Sequence, residues 1–103
     1  MPDTDHMKRI STSVYESFAL AGQSLKIWRK IYALKASQVA ERAGISLGTL
    51  SKIENGDPSV SLGAFLEVVR SLGLLDSFTE SLDPLNSDLG RNRISDNLPQ
   101  RIR

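Results

Sequence analysis

Residues 37–56 read SQVAERAGISLGTLSKIENG, and their pattern decides the fold. Val39, Ala40 and Ala43 share one face at helical spacing, which predicts a short helix over Ala36–Ala43. Gly44 stands where a helix end needs a left-handed cap. Ser46 has the side chain of an N-cap, which starts a second helix over Leu47–Glu54. Asn55-Gly56-Asp57-Pro58 then forms a stop and turn. Small Ala40 permits the two helices to cross closely. Ile45, Leu50 and Ile53 anchor the second helix to a core. Ser46, Leu47, Gly48, Ser51 and Lys52 are left pointing outward.

Upstream, Val14, Phe18, Ala21, Leu25 and Trp28 recur at helical spacing and predict a helix from Val14 to Ala33. Ser13 and Glu16 have the spacing of a capping box, and Gly22 is a place where the helix can divide. Trp28, in step with Leu25 and Ile31, is read as core. Downstream, Ser61 caps a helix over Leu62–Leu72 whose apolar face is Leu62, Phe65, Leu66, Val69 and Leu72. Gly73 ends it, and Leu74–Leu82 gives a further helix closed by Asp83-Pro84. No segment alternates at strand period and no repeat is present. The expectation is an all-α fold of five helices. Residues 1–12 are expected to be a flexible arm, 13–82 the domain, and 83–103 a tail that is disordered or ordered only on a partner.

With 103 residues the chain has room for one domain and is too short for two. It has no cysteine, which excludes disulfides and zinc–cysteine sites. No apolar run approaches membrane-spanning length, and MPDTDHMKRISTS has no hydrophobic signal core, so a cytoplasmic location and no membrane contact are expected. The net charge is only +1, but it is unevenly spread. Residues 17–56 carry Lys26, Arg29, Lys30, Lys35, Arg42 and Lys52 against Glu41 and Glu54. Residues 57–89 carry Arg70 against Asp57, Glu67, Asp76, Glu80, Asp83 and Asp88. The last fourteen residues return to basic, with Arg91, Arg93, Arg101 and Arg103 against Asp96. A basic half beside an acidic half suits a face turned toward phosphate.

Two helices joined by a tight glycine turn form a helix-turn-helix, in which the outward N-terminal part of the second helix enters the major groove. The stretches LKIWRK, VAERAGIS, TLSKIENG and SLGAFLEVVRSLG together resemble the Cro/cI (XRE) family of helix-turn-helix regulators over roughly residues 20–75. The resemblance implies a lambda-repressor-like DNA-binding domain. It implies that Arg29 and Glu54 form a partly buried ion pair joining the first helix to the third. It implies base-facing positions at Ser46, Leu47, Gly48 and Lys52, a backbone-contacting Asn55, and a Thr49 that packs near the sugar edges. Lys35, Ser37 and Ser51 complete the expected DNA-contacting set. There are departures. Lys35 and Ala36 stand where the family often has threonine and glutamine, so the usual side-chain cap and phosphate-binding amide are missing. Leu47 and Gly48 replace long polar residues. Leucine touches a thymine methyl but reads no donor–acceptor pattern, so specificity is expected to lean on Ser46, Lys52 and DNA shape.

A short chain of this kind with a tail reading DPLNSDLGRNRISDNLPQRIR also resembles HipB-type antitoxins, which bind operator DNA as dimers and hold a HipA-like kinase toxin. That resemblance implies a kinase partner contacted by Arg91, Arg93, Leu98, Arg101 and Arg103. The alternative is a stand-alone repressor whose tail arginines keep it soluble. A homodimer is expected in either case, through the region after Pro58, where Leu74, Leu75, Phe78 and Leu82 form an apolar patch. No enzyme activity, cofactor or metal is expected. His6 is alone in the arm. Ser24, Ser37 and Thr49 have no histidine in the domain to activate them, and Asp76, Glu80 and Asp83 lack the spacing of a calcium loop.

Overall fold

The computed structural model describes residues 10–97, and every regular element among them is helical. The expectations for the N-terminal arm, His6, Leu98, Arg101 and Arg103 concern residues outside that range. The elements are α1 (Thr12–Ile31), α2 (Ala36–Ala43), α3 (Leu47–Glu54), α4 (Leu62–Ser71), α5 (Leu75–Ser81), a 3-10 turn (Pro84–Asn86) and α6 (Asp88–Asn97). The chain divides into two compact units between Gly73 and Leu74.

The first unit is built on α1 to α4. Its core is Leu25 of α1, Val39, Ala40 and Ala43 of α2, Leu50 and Ile53 of α3, and Val68, Val69 and Leu72 at the end of α4. Leu50 and Val68 are wholly inaccessible to solvent. Three hydroxyl N-caps start its helices. Ser11, Ser46 and Ser61 each accept a hydrogen bond from the backbone N–H three residues on. Ser11 therefore does the work expected of Ser13. The helix starts earlier than the Ser13–Glu16 box implied, and Ser13 lies inside it with its carbonyl accepting from Ser17 Oγ.

Gly22 does not divide α1, which runs unbroken for 20 residues. A Cβ on Gly22 would lie 2.8 Å from the Glu54 carbonyl oxygen and nearer still to that of Ile53. The glycine lets α1 rest on the last turn of α3. The helix ends at Ile31, ahead of the expected Ala33, because Ala33 itself takes the left-handed conformation at φ 57°. Its N–H donates to the Lys30 carbonyl, and the Leu34 N–H to that of Arg29, closing the helix end.

Two core assignments are corrected. Trp28 is 38% exposed and stacks, tilted, on Tyr32 with ring centroids 5.8 Å apart. It lies at the edge of the core face, about 80° round the helix from Leu20 and 60° from Leu25. Leu62, the first residue of α4, is exposed, and Val68 is buried in its stead. The apolar stripe is centred one step round the helix from where the leucines alone placed it.

The second unit contains α5, the 3-10 turn and α6. Leu74, Leu75 and Phe78 are half-buried, and Leu82 is exposed. Asp83 caps the turn by accepting from the Leu85 N–H, and Asn86 Nδ2 donates to the Glu80 carbonyl at 2.6 Å. Residues 88–97 form a regular helix, contrary to the expectation of a tail without structure of its own. Two local features hold it. Ser87 Oγ accepts from the Gly90 N–H, and Gly90 lets the helix lie against the Pro84 carbonyl.

Two glycine–alanine exchanges, one within α1 and one just past its end, act in opposite directions. Gly22→Ala meets carbonyl oxygens that cannot rotate aside and is expected to cost at least about 1–3 kcal/mol. Ala33→Gly removes the penalty of a left-handed alanine and is expected to add up to about 1 kcal/mol. Thermal unfolding of the two variants beside the parent checks both signs.

Candidate nucleic-acid interface

The residues singled out for DNA contact lie on one continuous segment, from the start of α2 through the turn to the end of α3. Lys35 occupies the N-cap position of α2 in extended conformation, and its ammonium cannot accept a hydrogen bond. Gln38 supplies the reciprocal half of a cap instead, its Oε1 accepting the Lys35 N–H at 2.8 Å. The helix start is thus tied down without engaging the Lys35 side chain, which is exposed along with Ser37.

The turn is fixed by Gly44, at φ 70°. Nothing lies within 4 Å of a Cβ built there, so the requirement is for a left-handed backbone and not for space. The Gly44 N–H donates to Glu41 and the Ile45 N–H to Ala40, and the chain then enters α3 at Ser46. Ser46 Oγ accepts the Thr49 N–H at 3.0 Å and donates to Thr49 Oγ1 at 2.9 Å. Its hydroxyl proton is occupied within the helix, and the exposed oxygen is what remains. Leu50 and Ile53 bury the inner face of α3. Ser46, Leu47, Gly48, Ser51 and Lys52 are all exposed, Leu47 to 54%, and Thr49 is half-buried. Asn55 ends α3 at its C-cap, with its Nδ2 3.5 Å from Ser51 Oγ. These positions form one surface.

Arg29 and Glu54 hold that surface to α1. Arg29 Nε donates to Glu54 Oε2 at 2.8 Å and Nη2 to Oε1 at 3.1 Å, a two-pronged pair. The side chains are only 12% and 9% exposed. Nη1 reaches the Leu34 carbonyl, so the same guanidinium also closes the α1–α2 loop. The hydrogen bond it donates to Glu54 raises the Arg29 pKa above its ordinary value, burial opposing it. At the other end of the unit, Arg70 Nη2 donates to the Arg42 carbonyl and ties α4 to the end of α2.

The stop at residues 55–58 leads into a loop that helical spacing does not mark as part of this surface. Ser46, Thr49 and Lys52 form one wall of a cleft of about 310 Å³, and Ser59, Val60 and Ser61 form the other. The N-termini of α3 and α4 both open on it. Asp57 shapes the far wall by accepting from Ser59 Oγ at 2.7 Å and from the Ser59 N–H at 2.9 Å. These two bonds hold its carboxyl below the usual range. Aspartate two residues ahead of a serine is the one sequence signal for that wall.

Residues 20–82 match the family model of the helix-turn-helix domain. The chain belongs to the helix-turn-helix domain family. It is in that sense a DNA-binding regulator. No curated protein and no solved structure gives a match. Of the tail residues expected to meet a partner, Arg91 is engaged locally. It pairs with Asp88 and donates to the Leu85 carbonyl at 2.7 Å, while Arg93 is exposed on α6. Among the described residues there is no cluster of acidic and histidine side chains able to hold a metal ion, and no helix is long and apolar enough to cross a membrane.

Glu54→Ala strands a mostly buried guanidinium. Its expected cost is about 2–4 kcal/mol, above the ~1 kcal/mol of an exposed pair. Replacing both partners by leucine is expected to recover much of that loss, since no charge is then left unpaired. Denaturant unfolding of the single and double variants measures the difference.

Proposed function

We propose that the protein is a sequence-specific transcriptional repressor that binds operator DNA as a homodimer. The observation that carries this reading is the outer face of α3. It is held rigidly from behind by Leu50, Ile53 and the Glu54–Arg29 pair, and it presents small or flexible side chains outward. Such a helix enters the major groove by its N-terminal end, with Ser46, Leu47, Gly48 and Lys52 nearest the bases and Thr49 beside the sugar edges. Lys35, Ser37, Ser51 and Asn55 flank it as backbone contacts. The cleft between the starts of α3 and α4 suits a phosphate, since two helix N-termini and Lys52 face it. One such module reads few base pairs, and two copies on a palindrome supply useful specificity. The test compares Lys35→Ala with Lys52→Ala. Each is expected to flatten the log–log salt slope of DNA binding by about one unit. Lys35→Ala weakens all sequences alike, whereas Lys52→Ala also relaxes preference among them. Unchanged affinity in both variants overturns this assignment of the DNA face.

We further propose that the repressor is the antitoxin of a HipA-like kinase and regulates its own operon. The support is the resemblance of the tail, together with α6 being an arginine-bearing helix outside the unit that holds the DNA face. Truncation after Pro84 is expected to abolish kinase binding and leave operator affinity unchanged. The opposite result, or no kinase gene beside this one, returns the chain to a stand-alone repressor.

A further inference from the structure

α1 carries two apolar faces, and the described residues cover only one. Residues in an α-helix advance by about 100° each. Gly22, Leu25 and Arg29 face the core or the α3 pair, and Leu20 stands about 180° round the helix from Arg29. Ile27 and Ile31 fall within about 20° of Leu20 on that outer side. These three side chains are 65%, 49% and 62% exposed. Ser24 lies on the same stripe and is small and exposed. A row of large aliphatics about 16 Å long, on the solvent side of the longest helix, is left uncovered by the described residues.

The charges beside the stripe indicate what covers it. Glu16 lies one turn before Leu20 and Lys30 one residue before Ile31, both on the same flank of the row. Neither has an ion-pair partner among the described residues. We propose that the outer stripe of α1 packs antiparallel on the same stripe of a second copy of this chain. In that register Leu20 of each copy meets Ile27 of the other, Glu16 meets Lys30, and the two Ser24 residues sit at the two-fold axis. A two-fold interface must be complementary to itself, and this stripe satisfies that in both its apolar and its charged positions. Reversing the direction fails, because parallel pairing turns the charged flanks of the two copies to opposite sides and leaves Glu16 and Lys30 without opposite charges to meet. The stripe is short, so the contact belongs with weak interfaces, completed when two copies share one operator. This assignment rests on the homodimer reading above and names its surface.

The chain has no cysteine, which makes a cross-linking test clean. In the full chain, without DNA, Ser24→Cys is expected to oxidise to a covalent dimer. Glu67→Cys, at an exposed site on α4, is expected to stay monomeric. Sedimentation adds a second readout. Ile27→Asp is expected to weaken self-association at least about tenfold. Glu16→Lys and Lys30→Glu are each expected to weaken it, and the two together to restore it. All these positions are exposed, and circular dichroism checks that the helices persist. Absence of cross-linking in Ser24→Cys, or charge reversals without mutual rescue, overturns the proposal. Association lost instead in a Leu75→Asp, Phe78→Asp variant assigns the dimer to α5, and also overturns it. Binding of DNA is measured separately on a half-site, which a single copy can occupy. Failure there with intact cross-linking refutes the repressor reading and leaves the interface standing.

Discussion

The close approach of α1 to the end of α3 is the constraint on which the rest of the first unit depends. At Gly22 the two backbones touch with no side chain between them. Two turns later Arg29 grips Glu54 with two hydrogen bonds. On the far side Gly56, at φ 78°, passes so near Ala19 that a Cβ there would lie 2.6 Å from its Cα. These three points fix the C-terminal end of α3. Ser46 and Gly44 fix the other end. The helix that presents the outer surface is clamped at both ends, and its middle is filled by Leu50. Position and tilt are settled before any ligand arrives, which is the condition for reading a groove without a large ordering cost.

Much of this was legible in the sequence because it rests on local chemistry. Gly44, Ser46 and Ser61 each announce a helix end by side chain alone, and the bounds of α2 and α3 were placed correctly. The pairing of Arg29 with Glu54 is another matter. Twenty-five residues separate them, no periodicity links them, and only family resemblance suggested it. Gly22 was read as a weak point within a helix. It is a contact point between helices, because a missing Cβ has the same appearance in a sequence whether it loosens a backbone or admits a neighbour. Trp28 and Leu62 were misplaced for a related reason. Helical spacing gives the direction of a side chain within tens of degrees, and at the rim of a core that is the difference between covered and exposed.

The second unit shows where composition misleads. Residues 83–97 are polar, with isolated leucines and an isoleucine, and on that ground were expected to be disordered or ordered only on a partner. The order comes from short-range hydrogen bonds that composition does not register: Asp83 to Leu85, Asn86 to Glu80, Ser87 to Gly90 and Arg91 to Leu85. A turn stitched in this way, followed by a helix, needs little apolar burial to persist. Its charge also separates it from the first unit. Acidic residues crowd α5, and within this unit arginines appear only on α6 and beyond. The two units thus differ in electrostatic character as well as in packing.

Gly48 sits in the first turn of α3 on the outer face, and a Cβ built there meets nothing closer than Ser46 Oγ at 3.9 Å. Its φ is ordinary for a helix, so any side chain can be placed there without moving the backbone. Most would favour the helix by up to about 1 kcal/mol over glycine. The fold therefore does not require glycine here, and the position is free to accept a side chain. A lineage that changed this one codon would alter the shape of the outer surface while leaving the clamp behind it untouched. Divergence in what the surface contacts is in this respect uncoupled from loss of stability, the usual toll on evolving proteins.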